Sequence, residues 1–180
     1  YATALEWYRK AAAQGDASAL RAVGTCYAHG RGVDQNNATA LEWYLLAAAE
    51  GDAVAQYNAG VFYAAGRGAE QDYATALEWY RKAAAQGDAS ALRAVGTCYA
   101  HGRGVDQNNA TALEWYLLAA AEGDAVAQYN AGVRYAKGRG VQQDHAAAVE
   151  SWRKAAAQGH ADAQYDIGVH YEHGRGVEQN

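Results

Sequence analysis

The 180-residue chain has no segment that predicts a membrane or nucleic-acid partner. No apolar run approaches the roughly 18 residues of a membrane span, and no basic stretch followed by an apolar one opens the chain. The formal net charge is −5, so the charge balance favours neither nucleic acid nor an anionic membrane surface. We therefore expect a soluble protein with no signal peptide or transmembrane segment, and its localisation is otherwise unknown.

Methionine is absent and cysteine is scarce, whereas glycine is abundant and strictly placed. The 20 glycines fall at four fixed places of a 36-residue unit. In the first unit these are Gly15, Gly24, Gly30 and Gly32, and in the last they are Gly159, Gly168, Gly174 and Gly176. Five ungapped units account for every residue: 1–36, 37–72, 73–108, 109–144 and 145–180. A period of this length predicts a single solenoid domain over residues 1–180.

A second period is laid over the first, because residues 1–36 are identical to residues 73–108. Residues 1–72 differ from 73–144 at four positions only: Phe62/Arg134, Ala65/Lys137, Ala69/Val141 and Glu70/Gln142. Identity at exposed positions exceeds what packing demands, so the pair of units was copied recently. A chain that begins at Tyr1 and has no methionine favours an engineered array, and recent duplication of a natural gene is the alternative.

Each unit predicts two helices joined by a short turn. In the first unit, residues 1–14 are rich in helix formers, with small and aromatic residues recurring on one side. Gly15 is suited to the left-handed end of this helix A, and Asp16 to the cap of helix B, which runs to about His29. Gly30 can end helix B in the same way, and Asn36, Asn37, Asp72 and Asp144 are placed to cap the next helix A.

A glycine in the middle of helix B, Gly24 in the first unit, costs roughly 1 kcal/mol relative to alanine. Because it recurs in all five units, we expect the close approach of a neighbouring helix backbone to offset this cost. No single unit can bury its apolar faces alone, so each must stack on the next. The sequence thus predicts an all-α fold, an α-solenoid of five 36-residue helix-turn-helix repeats.

The repeat also carries a recognisable family pattern. Its residues in the first unit are Ala4, Trp7, Tyr8, Ala11, Ala12, Gly15, Ala19, Gly24, Tyr27, Gly30, Gly32 and Val33. Over all five units this pattern resembles the Sel1-like repeat, a relative of the tetratricopeptide repeat. The departures are Ala69 in the loop, Ser151 and Trp152 in place of a Trp-Tyr pair, and His160 in place of the capping aspartate.

The resemblance implies a right-handed superhelix whose helix A residues line a concave face that contacts proteins or peptides. Proteins of this kind usually act as adaptors. One branch of the family, the Helicobacter cysteine-rich proteins, pairs two cysteines within each repeat and is linked to β-lactam binding. No unit here holds two cysteines, so we do not expect that activity.

The residue types associated with catalysis and metal binding form no convincing cluster. Cys26 and Cys98 occupy the same repeat position two units apart, too far for a disulfide at about 8–10 Å per packed helix. His170 and His173 lie one helical turn apart and could present a metal pair. However, other units hold cysteine, phenylalanine or arginine at the position of His170, which indicates ordinary variation. We predict no catalytic residue, metal or cofactor, and hence no enzyme.

The exposed side of helix A is the remaining candidate site, because a helical wheel places its polar residues opposite Ala4 and Tyr8. The predicted binding face consists of Glu6, Arg9 and Lys10, then Glu42, Leu45 and Leu46, then Glu78, Arg81 and Lys82, then Glu114, Leu117 and Leu118, and finally Glu150 and Arg153. Glu6 is spaced to pair with Lys10, an interaction worth about 0.2–0.5 kcal/mol.

The even-numbered units replace the Arg-Lys pair of the odd ones by two leucines. A carboxylate beside exposed leucines would suit a peptide with apolar and basic groups. Alternatively, the leucines pack against neighbouring repeats while Glu42 pairs with Arg9 or Arg81 across the groove. The sequence leaves these two interpretations open.

Two functions follow from these observations. The first is a non-enzymatic scaffold that binds a protein or peptide on its concave face, and the second is an engineered scaffold with no natural ligand. We also expect head-to-tail self-association, because neither end carries a polar capping helix and the first unit is identical to an internal one.

Overall fold

The computed structural model describes residues 1–177, which form ten α-helices and no strand. The last three residues of the predicted fifth repeat lie outside this range. The helices are α1 (Ala2–Ala12), α2 (Ala17–His29), α3 (Asn37–Ala49), α4 (Ala53–Ala65), α5 (Tyr73–Ala84), α6 (Ala89–His101), α7 (Asn109–Ala121), α8 (Ala125–Lys137), α9 (His145–Ala157) and α10 (Ala161–Glu172). The predicted all-α, solenoid-type fold with two helices per 36 residues is confirmed. Within residues 1–177, no helix combines the length and apolar character that a membrane crossing requires.

The chain divides into two compact units, Tyr1–Asp88 and Ala89–Asn180. The first unit contains α1 to α5, and the second contains α6 to α10. Within each unit, a helix B packs more extensively on the helix A that follows it than on the helix A of its own repeat. The contact that joins one repeat to the next is therefore the larger one.

The helix ends follow the predicted capping chemistry. The Asp16 carboxylate accepts the Ala19 N–H at 2.7 Å, and Asp52 and Asp124 do the same for their helices. Gly30 ends α2 with φ +67°, in the left-handed region that favours glycine. One cap differs from the prediction: Asn36 caps α3, whereas Asn37 is already its first helical residue.

Asp72 caps α5 with an additional contact, because its carboxylate also accepts the Thr75 hydroxyl at 2.6 Å. The hydrogen bonds from Thr75 lower the pKa of Asp72 below its usual value, since they stabilise the charged form. The carboxylate therefore stays charged as a helix cap down to a lower pH than an unperturbed aspartate would.

The mid-helix glycines lie against aromatic rings of the next repeat. A Cβ added at Gly60 would lie 2.6 Å from the Tyr80 ring and 3.0 Å from the Ala76 carbonyl oxygen. The same arrangement recurs at Gly24 with Tyr44, Gly96 with Tyr116 and Gly132 with Trp152. The predicted close approach is thus confirmed, but its main partner is a side-chain ring and the neighbouring backbone is secondary. We call the space above each of these glycines the glycine slot.

The aromatic residues that enter glycine slots are deeply buried. Tyr44 and Tyr116 each expose 3% of their surface, and Trp152 exposes 2%. Trp152 replaces the tyrosine of other repeats, and its indole Nε1 donates to the Tyr129 carbonyl at 3.2 Å. Trp152 in the last repeat departs from the family pattern but still makes the contact with the mid-helix glycine, Gly132.

The two ends of the series lack one partner each. Within residues 1–177 no helix B packs on the Tyr8 ring, and 41% of its surface is exposed. Gly168 has the same place in α10 as the other slot glycines, but an added Cβ there would meet nothing within 4 Å. These two positions provide internal controls for the contact.

The slot predicts opposite effects for one substitution at the mid-helix glycines of the last two repeats, Gly132 and Gly168. Gly132→Ala should lower the free energy of unfolding by about 1–3 kcal/mol, because the new methyl group would overlap the anchored Trp152 indole. Gly168→Ala should raise it by about 0.5–1 kcal/mol, because the slot is empty and alanine is the better helix former. Urea denaturation of both variants measures the difference, and equal effects at the two sites would contradict the account.

Candidate functional site

The structure leaves the predicted binding face accessible. In the first unit it is formed by α1, α3 and α5, and in the second by α7 and α9. All its predicted residues are exposed except Leu45, which is half-buried. The exposed members are Glu6, Arg9, Lys10, Glu42, Leu46, Glu78, Arg81, Lys82, Glu114, Leu117, Leu118, Glu150 and Arg153.

The lysines of this face stack on tryptophans. Lys10 Nζ lies 4.2 Å from the centre of the Trp7 ring, and Lys82 Nζ lies 3.9 Å from that of Trp79. The expected Glu6–Lys10 pair is therefore replaced by a cation–π contact, which an aromatic ring three residues before the lysine offers. In the last repeat Ser151 replaces the tryptophan, and there Lys154 pairs with Glu150 at 3.3 Å.

Arginines at the preceding position are held within their own repeat. Arg9 donates to the Tyr27 hydroxyl at 2.7 Å, and its guanidinium lies 5.8 Å from the centre of that ring. Arg153 makes the same contact with Tyr171. Glu42 forms no ion pair with Arg9 or Arg81 in the described part of the chain. Its carboxylate is exposed beside Leu45 and Leu46.

The leucines that replace these cations are mostly exposed. Leu46 exposes 52%, Leu117 40% and Leu118 53% of their surfaces. Leu45 packs against the cluster that contains Leu41 and Tyr44. Three of the four are thus outside the core, which favours the interpretation that assigns them to a binding surface.

A groove between consecutive repeats adjoins one of these leucines. Leu117 of α7 and Lys154 of α9 line a cavity of about 180 Å³, together with Gln128 and Ala131 of α8. Ser151 completes the α9 side. Within the second unit, the structure thereby combines an apolar wall from α7 with a polar wall from α9.

Two further residues of this kind escaped the sequence analysis. Val54 and Val126 are the second residues of helix B in the even repeats and expose 44% and 43% of their surfaces. The odd repeats have Ser18 and Ser90 at this position. The comparison of even with odd repeats that identified the leucines would also have identified these valines.

The histidines do not form the metal pair considered from the sequence. His170 is buried, and its Nε2 lies 3.4 Å from Nδ1 of His145, while its own Nδ1 donates to the Asp166 carbonyl. Among the described residues, no three His, Cys, Asp or Glu side chains are grouped to hold a metal ion. His173 instead bonds the Val169 carbonyl of its own helix.

A larger cavity, of about 610 Å³, lies between α8, α9 and α10. Tyr129 lines it and donates to the Asp166 carboxylate at 3.2 Å. Burial, with the adjacent Asp166 charge, raises the pKa of Tyr129 to about 12. The phenol therefore stays protonated, and can donate to Asp166, up to a higher pH than an ordinary tyrosine.

The Sel1 repeat family model matches consecutive segments across the chain: residues 1–16, 17–52, 53–88, 89–124, 125–160 and 161–180. These segments keep the 36-residue period, and all but the first begin at helix B. Each complete one thus joins a helix B to the following helix A, the pair with the more extensive contact.

Three solved structures illustrate the likeness. A protective antigen of uropathogenic Escherichia coli strains has a TM-score of 0.96 and 37% identity over 98% of this chain, which spans 38% of that protein. A Sel1 repeat protein from Oxalobacter formigenes has a TM-score of 0.93 and 35% identity, covering 100% of this chain and 74% of that one. Helicobacter pylori cysteine rich protein B shares the fold alone, with a TM-score of 0.56 and 20% identity over 72% of this chain and 92% of its own. A comparison with curated proteins gave no match.

Proposed function

The chain belongs to the Sel1 repeat family, and from this premise we propose that it is a non-enzymatic scaffold that binds a protein or peptide segment. Sel1 repeat proteins are typically protein-interaction scaffolds. We place the binding surface on the exposed side of helix A, at the predicted residues of each repeat. The right-handed superhelix and the concave position of this surface belong to the same proposal.

The observation that carries the proposal is the exposure of apolar side chains in the even repeats. Leu46, Leu117 and Leu118 are large apolar residues that remain in solvent, and Val54 and Val126 are exposed in the same repeats. The odd repeats fold with polar residues at the corresponding positions, so folding does not require the leucines or valines. Apolar residues that the fold does not need support an interaction surface.

The charge of the surface indicates the chemistry of its partner. Exposed glutamates recur once per repeat at Glu6, Glu42, Glu78, Glu114 and Glu150. In the even repeats no cation stands one turn further along the helix to neutralise them. A segment that alternates apolar side chains with lysine or arginine would bury the former on the leucines and pair the latter with Glu42 and Glu114.

A peptide array tests this proposal. The array presents amphipathic peptides with basic and apolar residues, together with versions in which the basic residues are changed to glutamate. We expect the chain to bind the basic set, and the triple variant of the exposed leucines, Leu46→Lys, Leu117→Arg and Leu118→Lys, to lose binding. Because these residues are those of the odd repeats, stability should stay within about 1 kcal/mol, as for surface changes.

The control is Leu41→Ala, which removes a leucine that exposes only 5% of its surface. That variant should lose about 2–5 kcal/mol of stability, as truncation of a buried leucine does. A comparable loss in the triple variant would assign Leu46, Leu117 and Leu118 to the core. If no peptide binds the stable parent chain, the alternative of a scaffold without a natural ligand is preferred.

We further propose that the 180-residue chain associates head to tail. The Tyr8 ring lacks the glycine slot that buries Tyr44, and the slot at Gly168 lacks a ring. Residues 1–36 have the same sequence as an internal repeat whose Tyr80 enters such a slot. The Tyr8 ring of one copy therefore matches the empty Gly168 slot of a second copy.

Sedimentation velocity at increasing concentration tests the association. The parent chain should form larger species, while Tyr8→Ala and Gly168→Leu should each reduce them, the first by removing the ring and the second by filling the slot. A parent chain that stays monomeric at millimolar concentration would contradict this proposal.

A further inference from the structure

The four differences between the two duplicated segments, residues 1–72 and 73–144, make the second segment more positively charged. Arg134 replaces Phe62, and Lys137 replaces Ala65, so that each adds a positive charge. Gln142 replaces Glu70 and removes a negative charge, and Val141 for Ala69 is neutral. The second copy is therefore more positive by three charges, all introduced at the end of helix B and in the loop that follows.

Arg134 is the most unusual of these replacements, because its side chain is buried. It exposes 8% of its surface, and its Nη1 donates to Oδ1 of Asn109 at 3.0 Å. The guanidinium lies 5.0 Å from the centre of the Tyr116 ring. Its Nε is inaccessible and has no hydrogen-bond partner.

No carboxylate in the described part of the chain pairs with this guanidinium. An asparagine and an aromatic face give only partial compensation for a buried positive charge. An anion beside Arg134 would supply the missing charge.

A cavity of about 150 Å³ lies next to Arg134, and a second arginine lines it. The lining consists of His101, Tyr116, Asn130, Val133, Arg134 and Arg139. His101 Nδ1 donates to the Thr97 carbonyl, so in the neutral imidazole Nε2 is an acceptor that can bond a protonated phosphate oxygen. No acidic residue lines this cavity. Its size admits a tetrahedral oxyanion but not a nucleotide.

We propose that this cavity binds a phosphate-type oxyanion, held by Arg134, Arg139 and His101. Guanidinium groups form strong, charge-assisted hydrogen bonds with phosphate oxygens, and the Asn130 amide is an additional donor in the same lining. None of these residues belongs to the helix A binding face, so the site is separate from the proposed peptide surface.

The first half of the chain supplies a matched control. His29, Tyr44, Asn58, Val61 and Arg67 occupy the positions of the other lining residues. Only Arg134 has no counterpart, because Phe62 stands there and packs on Tyr44 with ring centres 5.2 Å apart. The duplicated halves therefore differ in one residue of this lining.

Two reciprocal substitutions test the proposal in the full chain. Isothermal titration with inorganic phosphate, at an ionic strength held constant with chloride, should show one site per chain. Arg134→Phe should weaken binding by about tenfold or more, because it removes the charged donors. The Arg134→Phe variant should still fold, because the chain already has a phenylalanine, Phe62, at the same position 72 residues earlier. Phe62→Arg should create a second site and raise the stoichiometry to two per chain.

Thermal melts in phosphate and in chloride provide a second readout. Phosphate should raise the melting temperature of the parent chain and not that of Arg134→Phe, since a ligand stabilises the state that binds it. A parallel titration with O-phosphoserine distinguishes the two sources of phosphate. Tighter binding of O-phosphoserine indicates a phosphate group carried by a larger molecule, and tighter binding of inorganic phosphate indicates the free ion. Equal phosphate affinity in the parent chain and Arg134→Phe, or equal stabilisation by phosphate and chloride, would overturn the proposal.

Discussion

An aromatic ring that lies against a glycine joins each repeat to the next, and the rest of the structure depends on this contact. The ring of Tyr80 occupies the space that a Cβ at Gly60 would fill, and the same contact joins Gly24 to Tyr44, Gly96 to Tyr116 and Gly132 to Trp152. Glycine makes the helix locally less stable, but it admits a ring that buries far more apolar surface than a methyl group would. Because one helix supplies the glycine and the next supplies the ring, the contact also fixes the register between repeats. This is consistent with the larger contact between a helix B and the following helix A.

Much of the fold could be predicted from the sequence, because its signals are local and repeated. Gly30 and Asp16 act at the ends of helices through their own backbone and carboxylate, which requires no knowledge of distant contacts. The identity of the group that meets Gly24 could not be predicted in the same way. A recurring mid-helix glycine indicates that a neighbouring group approaches the helix closely. Whether that group is a backbone or an aromatic ring depends on how the two helices cross.

The candidate site was less predictable, since exposed side chains choose among several partners of similar energy. The spacing of Glu6 and Lys10 indicated an ion pair, yet Lys10 lies over Trp7, and only the last repeat, where Ser151 removes the ring, has the pair. The exposure of the even-repeat leucines likewise depends on how neighbouring helices pack, which the sequence alone does not show. The burial of Arg134 could not have been foreseen from its sequence, because an arginine at a mostly apolar position could equally extend into solvent.

The glycine slot, and not the local sequence, gives the ring its stabilising effect. Residues 1–36 and 73–108 are identical, but Tyr80 enters the slot at Gly60, whereas no glycine slot within residues 1–177 receives Tyr8. The most direct measurement is the free energy of unfolding of Tyr8→Ala and Tyr80→Ala by urea denaturation. We expect Tyr80→Ala to cost about 3–5 kcal/mol, as loss of a buried aromatic ring does, and Tyr8→Ala to cost about 1 kcal/mol or less. Equal losses in the two variants would contradict the claim, because the same residue in the same sequence would then contribute equally with and without a slot.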